Sequence, residues 1–316
     1  MDAVGIVNDL ELVESRALDW IESSLGFFDP LTHVSPKRTV FVMKGAAEVA
    51  LLCSLALRDR RRPRYAALAE HIFGIFRNEA VQEHLIRNPA SVPSLGFYAT
   101  LRLCGFEDLR YRSRLEALLR SGYLDATERA PSTELDFIHS RQQAGFPAPD
   151  TADVYRRTLT GHHPPLDPLT NDDVYTITHT IFFTTDFGRI DPPFFSDDDR
   201  RWFRFALPRL TAFYLRRADW DLSAELLITL AATGTTDVPE FVRGWELLLK
   251  VQNEDGSYDG PVDKLKEVNA APAVEPEWAV FRDNYHTTLA VLLAIVTSPP
   301  RASVRRKHRG RRTTAR

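Results

Sequence analysis

The chain has 316 residues and a net charge of −3, and its 44% hydrophobic and 26% charged residues are ordinary proportions for a soluble globular protein. No basic region precedes an apolar run at the N-terminus, and the longest apolar run, Val49 to Leu57, is too short to cross a bilayer, so neither a signal peptide nor a membrane span is predicted. Two cysteines, Cys53 and Cys104, predict buried thiols in a reducing, cytoplasmic compartment rather than a disulfide or a metal pair.

Apolar residues recur at helical spacing along the chain, and caps or prolines separate the segments. Strand-like alternation is hard to find. The pattern predicts about thirteen helices, at Val7 to Ser24, Thr39 to Arg58, Tyr65 to Arg77, Ala80 to Arg87, Val92 to Leu103, Arg112 to Leu119, Thr133 to Gln142, Ala152 to Leu159, Asp172 to Phe183, Asp198 to Arg217, Leu222 to Ala232, Pro239 to Val251 and Glu277 to Val296. An all-α fold is therefore expected.

Two of these segments, Val40 to Leu57 and Tyr285 to Val296, are apolar on most of their circumference. Such helices must be covered on more than one side, which two concentric helix layers achieve and a single up-down bundle does not. We expect one domain over residues 1–300. Two long loops, at residues 161–170 and 259–276, interrupt the helices, and loops of this length are often functional.

Residues 301–316 carry eight basic side chains and no acidic one. This composition predicts a disordered, solvated tail. The alternative is an arm for nucleic acid or another anionic surface. Because the rest of the chain is acidic and does not interleave basic and aromatic residues, a dedicated nucleic-acid binder is not expected.

The most informative stretch covers residues 243–258, where an apolar helix is followed by Gln252, Gly256 and Tyr258. We expect Gln252 to close the helix with its amide on unpaired backbone groups, and Gly256 to supply the turn. Tyr258 is expected to fold back with its hydroxyl toward water. The apolar stripe of this helix comprises Leu247, Leu248 and Val251.

The densest polar cluster begins at Asn171. Asp172, Tyr175, Thr176 and His179 share one helix face, which predicts a polar face that looks into a cavity. In the alternative reading, Asp172 and its neighbour Asp173 are a helix cap and a first-turn acid. His179 is either a structural, hydrogen-bonded histidine or a ligand or acid-base group.

Asp221 and Glu225 are four residues apart at a helix start, so both carboxylates can point the same way. Two close carboxylates raise one another's pKa, which suits a general acid, or they gather a cation. The alternative is that Asp221 caps the helix and Glu225 is solvated. His286 follows Tyr285, where an apolar helix is expected to begin.

His179, His286 and one carboxylate, from Asp186, Asp221 or Glu225, would form a two-histidine, one-carboxylate site for zinc or iron. Without a metal, the same groups can act as acid and base. Other polar clusters have simpler interpretations: a surface ion pair for Glu134, Asp136 and His139, a loop tip for His162 and His163, and a helix N-terminus for Asp197, Asp198 and Asp199.

The stretch at residues 243–258 resembles the glutamine-tryptophan repeat of squalene-hopene and related terpene cyclases, which share an α/α-toroid fold with the β subunits of protein prenyltransferases. The matching residues are Arg243, Gly244, Leu247, Leu248, Gln252, Gly256 and Tyr258, with Tyr258 in place of the usual tryptophan. Residues 282–289, with Tyr285 and His286, resemble the prenyltransferase segment that carries a zinc-ligand histidine at the start of the last inner helix.

The resemblance implies an α/α toroid whose cavity is lined by inner-helix starts. The chain departs from the pattern of these families because it has one repeat and no cysteine after Cys104. It also lacks the Asp-x-Asp-Asp acid motif, since Asp219 and Asp221 supply only the first half of that motif. Phosphate-binding loops, dinucleotide fingerprints and nucleophile elbows are also missing, so kinases, nicotinamide dehydrogenases and common hydrolases are not favoured.

We therefore expect an enzyme of specialised metabolism that acts on a small, largely apolar, terpenoid-like substrate by acid-base cyclisation, isomerisation or lyase chemistry. Its expected catalytic residues are His179, Asp221, Glu225 and His286. Its expected substrate-binding residues are Asp172, Tyr175, Thr176, Asp186 and Tyr285. A metal, if present, would be zinc or iron on His179, His286 and Asp221.

Two alternatives remain. The first is a metal-dependent hydrolytic or oxidative enzyme that uses the two histidines and a carboxylate. The second is a non-catalytic toroid that binds a peptide or protein partner. It predicts that His179, Asp221 and His286 are scattered rather than clustered.

Overall fold

The computed structural model describes residues 3–32, 36–58, 62–89, 91–261 and 275–299. Within these ranges the chain is helical and contains no strand, so the all-α prediction is confirmed. The described α-helices are α1 (Ala3–Ser23), α2 (Pro36–Leu57), α3 (Pro63–Phe76), α4 (Glu79–Arg87), α5 (Val92–Leu103), α6 (Leu109–Arg120), α7 (Tyr123–Ala126), α8 (Pro131–Gln143), α9 (Thr151–Arg156), α10 (Asn171–Thr185), α11 (Asp197–Arg217), α12 (Trp220–Ala232), α13 (Pro239–Leu248) and α14 (Pro276–Thr297). Most of the predicted loop at 259–276, and the whole predicted tail, lie outside the described residues.

Helix ends follow local chemistry. Thr170 and Ser196 each form a capping box, with Asp173 at α10 and Asp199 at α11. At α12 the cap is Asp219, whose side chain accepts a hydrogen bond from a backbone amide of the first turn. The alternative reading of Asp221 as this cap is therefore wrong, because α12 begins two residues earlier than the apolar pattern indicates.

Six helices contact one another in a closed cycle, in the order α2, α5, α8, α10, α12, α14 and back to α2. We call them the ring helices. Five other helices pack on the ring: α1 on α14, α3 on α2, α9 on α8, and α11 and α13 on α12. This alternation supports the predicted α/α toroid, because ring and covering helices follow one another along the chain.

Two large hydrophobic clusters form most of the core, one mainly from the first half of the chain and one mainly from the second. α14 contributes to both, with Leu289 and Leu292 in the first and Val291 in the second. α2 is the one described helix that is long and apolar enough to cross a membrane by length and composition, and 61% of its apolar window is buried inside the protein. Both cysteines are free, Cys53 buried and Cys104 half-buried.

The stretch at 243–258 ties the two ends of the chain together. α13 ends at Leu248, and Gln252 donates from its amide to the carbonyls of Val13 and Gly256, each at 3.0 Å. Tyr258 is fully buried, and its hydroxyl donates to the Leu248 carbonyl at 2.9 Å. The prediction that this hydroxyl faces water is wrong, because the helix end offers a buried acceptor.

Gly256 is expected to be irreplaceable at this junction. Its φ is 94°, and a Cβ atom there would lie 2.2 Å from the Arg16 carbonyl oxygen on α1. Gly256→Ala should therefore lower the free energy of unfolding by at least about 3 kcal/mol, through backbone strain and overlap together. Chemical denaturation measures the loss.

Gly234→Ala is the matched control. Gly234 also has a positive φ, of 68°, but nothing lies within 4 Å of its Cβ position. This variant should lose only about 1 kcal/mol, the strain alone. Equal losses in the two variants would show that the approach of Arg16 to Gly256 does not constrain the fold.

Candidate functional site

Five ring helices bring charged side chains together in the interior. We call eight residues on five ring helices the central cluster: Lys44 and Glu48 of α2, Asp136 of α8, Tyr175 and His179 of α10, Asp221 and Glu225 of α12, and His286 of α14. The structure thus unites all four predicted catalytic residues. His286 lies in the middle of α14 rather than at its start, because the helix begins ten residues earlier, at Pro276.

Both ring nitrogens of His286 face carboxylates. Nδ1 lies 3.3 Å from Glu48 Oε2, and Nε2 lies 3.6 Å from Asp221 Oδ2. Burial disfavours the charged imidazole, but the charges of Asp221 and Glu48 outweigh burial and raise the pKa of His286 to about 9. His286 is therefore a fixed positive charge at neutral pH.

Glu48 joins two cations. Its Oε1 lies 3.2 Å from Lys44 Nζ, on the same helix, while its other oxygen faces His286. Burial alone would raise the pKa of Glu48, but His286 and Lys44 lower it to about 2. The charge of Glu48 in turn raises the pKa of Lys44. Lys44, Glu48, His286 and Asp221 thus form one continuous chain of opposite charges.

Asp221 is fully buried, and its Oδ2 accepts a hydrogen bond from the Tyr175 hydroxyl at 2.5 Å. Burial and the negative charge of Asp221 raise the pKa of Tyr175, so this phenol stays a neutral donor.

Tyr285, a predicted substrate-binding residue, is 2% exposed and packs edge-on against Phe41. It supports His286 from the core and offers almost no surface to a ligand.

His179 pairs with Glu225, with 3.5 Å between Nε2 and Oε1. Thr178 donates to the other Glu225 oxygen at 2.5 Å. Burial opposes the charged form of His179, but Glu225 raises its pKa. Conversely, burial would raise the pKa of Glu225, and His179 and His286 lower it. The expectation that the pKa of Glu225 is raised is therefore wrong, because adjacent histidines favour its ionised form, and its role as a general acid stays a prediction.

Asp136 is the member of the cluster that sequence analysis misplaced. Burial raises its pKa to about 6, although His139 and His179 act in the opposite direction. Of the predicted surface ion pair, only Glu134 lies at the surface, where it binds Arg157 at 2.9 Å. Asp136 and His139 point inward, because they lie on the face of α8 that meets the other ring helices.

The exposure of the central cluster indicates a water-accessible recess inside the ring, which we call the cavity. The side chain of His179 is 45% exposed, that of His286 28% and that of Lys44 58%, although protein surrounds each of them. We infer the cavity from this exposed surface on residues that lie among the ring helices. Of the residues predicted to share the polar face of α10, Tyr175 and His179 belong to the central cluster. Asp172 does not, because it is exposed in the first turn of the helix.

Thr176, in the middle of α10, is half-buried. Asp186 is the C-cap of α10, at the opposite end from Asp172, and has a left-handed backbone with a φ of 46°. Asp186 Oδ1 accepts from Arg58 of the α2 end at 2.9 Å and lies 3.0 Å from His139 Nε2. Burial would raise the pKa of Asp186, but His139 and Arg58 lower it. The predicted substrate-binding role of Asp186 stays untested; its contacts join α2, α8 and α10.

Lys44 and Glu48 are not among the site residues predicted from the sequence. A signal for them existed: they are a charged pair at i and i+4 on α2, a helix whose apolar circumference predicts that it is covered on most sides. A charged pair on such a helix must face either a gap in the covering or a cavity. For Asp136 no comparable signal exists, because Glu134 on the same helix has the same chemistry and faces outward.

The zinc implied by the prenyltransferase resemblance does not fit these residues. Within the described ranges, no group of three histidine, cysteine, aspartate or glutamate side chains could hold a metal ion. Both nitrogens of His286 face carboxylates, and a doubly protonated imidazole has no lone pair for a metal. A zinc or iron site on His179, His286 and Asp221 would need a rearranged cluster.

Comparison with known proteins adds the family but no activity. No curated protein and no solved structure matches the chain. One protein family matches residues 14–296, which contain the whole central cluster. The chain belongs to this family, whose description is "Domain of unknown function (DUF6895)".

Proposed function

We propose that this protein is an enzyme that moves protons to and from a small molecule held in the cavity of the ring helices, which form an α/α toroid. The observation that carries the proposal is the central cluster. His179 and His286, each paired with a carboxylate, share one water-accessible cavity with Asp136. The pKa of Asp136 is raised to about 6, and the pKa of His286 is raised to about 9. Groups whose pKa values are separated in this way suit base and acid roles.

Each group has a role that follows from its charge. Asp136 is largely ionised at neutral pH and serves as general base. His179 is the more exposed histidine, and Glu225 favours its protonated form, so it serves as general acid. His286 is a fixed positive charge that stabilises negative charge as it develops on the substrate. Glu48 and Asp221 hold His286 in place.

These roles support isomerisation, elimination or cyclisation. Asp136 takes a proton from a substrate carbon, and His179 gives one to a second atom of the substrate. Water in the cavity then restores both groups. Phe183, which is half-buried and whose ring lies 5.9 Å from that of His179, gives the site an apolar wall. This wall and the terpene-cyclase resemblance support a substrate with a largely apolar body.

The non-catalytic alternative fares less well. A toroid that binds a peptide or protein partner predicts scattered polar residues, whereas Asp221 lies 3.6 Å from His286 and the charges of His179 and His286 affect one another. The metal-dependent alternative lacks a ligand set among the described residues.

The test is to incubate the pure protein with a small-molecule extract of its source organism and to follow consumed and formed compounds by mass spectrometry. Wild type should convert one compound to an isomer or an elimination product. The double variant His179→Gln/His286→Gln should lose at least about 100-fold in rate, and His162→Gln, on an exposed loop, should lose nothing. An unchanged extract, or turnover retained in the double variant, contradicts the proposal.

A further inference from the structure

The cations of the central cluster expose more side-chain surface than the carboxylates paired with them. Lys44, His179 and His286 present side-chain surface to the cavity. The carboxylates that pair with the histidines expose less: Asp221 has no exposed side-chain surface, Glu225 has 5% and Glu48 has 18%. A molecule that enters the cavity therefore meets more cationic than anionic surface from these pairs, although the cluster as a whole contains more acids than bases.

Lys44 and His286 lie side by side because they share one carboxylate, each facing a different oxygen of Glu48. The ammonium of Lys44 has three N–H donors, and among the described residues Glu48 is its one ion-pair partner. Donors therefore remain on its cavity side, next to the positive charge of His286. This pair of neighbouring cations matches the two oxygens of a second carboxylate.

We propose that the substrate of this site is a carboxylic acid, whose carboxylate binds Lys44 beside His286 while its neighbouring carbon atoms face Asp136 and His179. This inference rests on the proposed function and names its substrate class. When Asp136 removes a proton from a substrate carbon conjugated with the substrate carboxylate, negative charge gathers on that carboxylate. Binding of the carboxylate at Lys44 places the positive charge of His286 beside it. The electron pair of that C–H bond moves toward the carboxylate, and His179 returns a proton to another carbon.

A phosphate fits less well. Phosphate groups are bound by arginine forks and by free backbone amides at helix N-termini, and they bring close to two negative charges. The central cluster contains no arginine, and Lys44 and His286 lie in the middle of their helices, where backbone amides are already bonded. With Asp136 ionised, the four acids of the central cluster already exceed its three cations by one charge, so one further negative charge is tolerated better than two.

The experiment compares four probes with the same apolar chain: octanoate, octanol, octylamine and octyl phosphate. Calorimetry on the full-length protein at neutral pH should detect octanoate and find the other three at least about tenfold weaker. Lys44→Met should weaken octanoate binding about tenfold or more, and Lys44→Arg should largely retain it. Lys250→Met removes an equivalent charge from an exposed position and should change nothing.

Several results overturn the inference: no octanoate binding, equal binding of octanol, tighter binding of octylamine or octyl phosphate, or unchanged affinity in a folded Lys44→Met protein. Lys44→Arg keeps the test decisive should the methionine variant not fold. Octanoate binding through Lys44 with an unchanged extract would leave this site standing and reject the enzyme. Turnover of a neutral or cationic substrate that depends on His179 and His286 would reject the carboxylate site and leave the proposed enzyme standing.

Discussion

Asp136→Asn is expected to stabilise the protein by roughly 1–3 kcal/mol at pH 8 and to leave its stability almost unchanged at pH 4. Burial raises the pKa of Asp136 to about 6, above the value of about 3.9 in the unfolded chain. A raised carboxyl pKa contributes stability that is fully present below pH 4 and is lost as the pH rises through 6. Asparagine has no charge to bury, so the variant keeps this stability.

Urea denaturation at pH 4 and pH 8 measures the effect. Asp167→Asn, on an exposed loop, is the matched control and should show no pH-dependent difference from wild type. The same Asp136→Asn variant should also lose turnover in the extract assay. The reason is that the ionised carboxylate of Asp136, which destabilises the fold at pH 8, is the proposed general base. A stability change that is equal at both pH values, or a loss at pH 8, would contradict the environment assigned to Asp136.

Asp221→Asn is expected to lower the pKa of His286 by roughly one unit or more and to destabilise the protein by roughly 2–4 kcal/mol at pH 6. Asparagine keeps an oxygen for the Tyr175 hydroxyl but removes the buried charge that faces His286 Nε2 at 3.6 Å. The raised pKa of His286 contributes stability that is fully present below about pH 6.5 and is lost as the pH rises through 9. The difference from wild type should therefore shrink by pH 10.

Asp219→Asn provides the control two residues away. Asp219 caps α12, and asparagine caps a helix about as well as aspartate, so this variant should change neither stability nor the histidine titration appreciably. The pKa of His286 is followed through its ring-proton NMR signals. A titration that is unchanged in Asp221→Asn would mean that Glu48 alone holds the charge of His286.

Local sequence signals predicted the helices well because a helix depends on near neighbours. The predicted segment Val92 to Leu103 matches α5 at both ends, and capping boxes mark the starts of α10 and α11. The four-residue helix α7 escaped prediction, since Tyr123–Ala126 buries one side chain, Leu124, and shows no periodicity.

The candidate site was predictable where residues on one helix share a face, and it was not where separate helices meet. His179, Asp221, Glu225 and His286 were identified as reactive types, but only the contacts of α12 with α10 and α14 show that a carboxylate faces each histidine. The same contacts reverse the direction of the pKa shift expected for Glu225. Its pKa depends on the charge of His179, which lies 46 residues away in the sequence.

The sequence by itself determined that this chain is all-α, where its helices lie, and which residues at 243–258 lock a helix end. It did so because periodicity, caps and turns are short-range properties. The tertiary structure alone decided which charged residues face the cavity. From the sequence, Asp136 is indistinguishable from a surface residue, and the Lys44–Glu48 pair fits either a gap in the covering or a cavity. The contact of six helices in a cycle decides between these, because burial and the charges of other helices set the protonation state of each group.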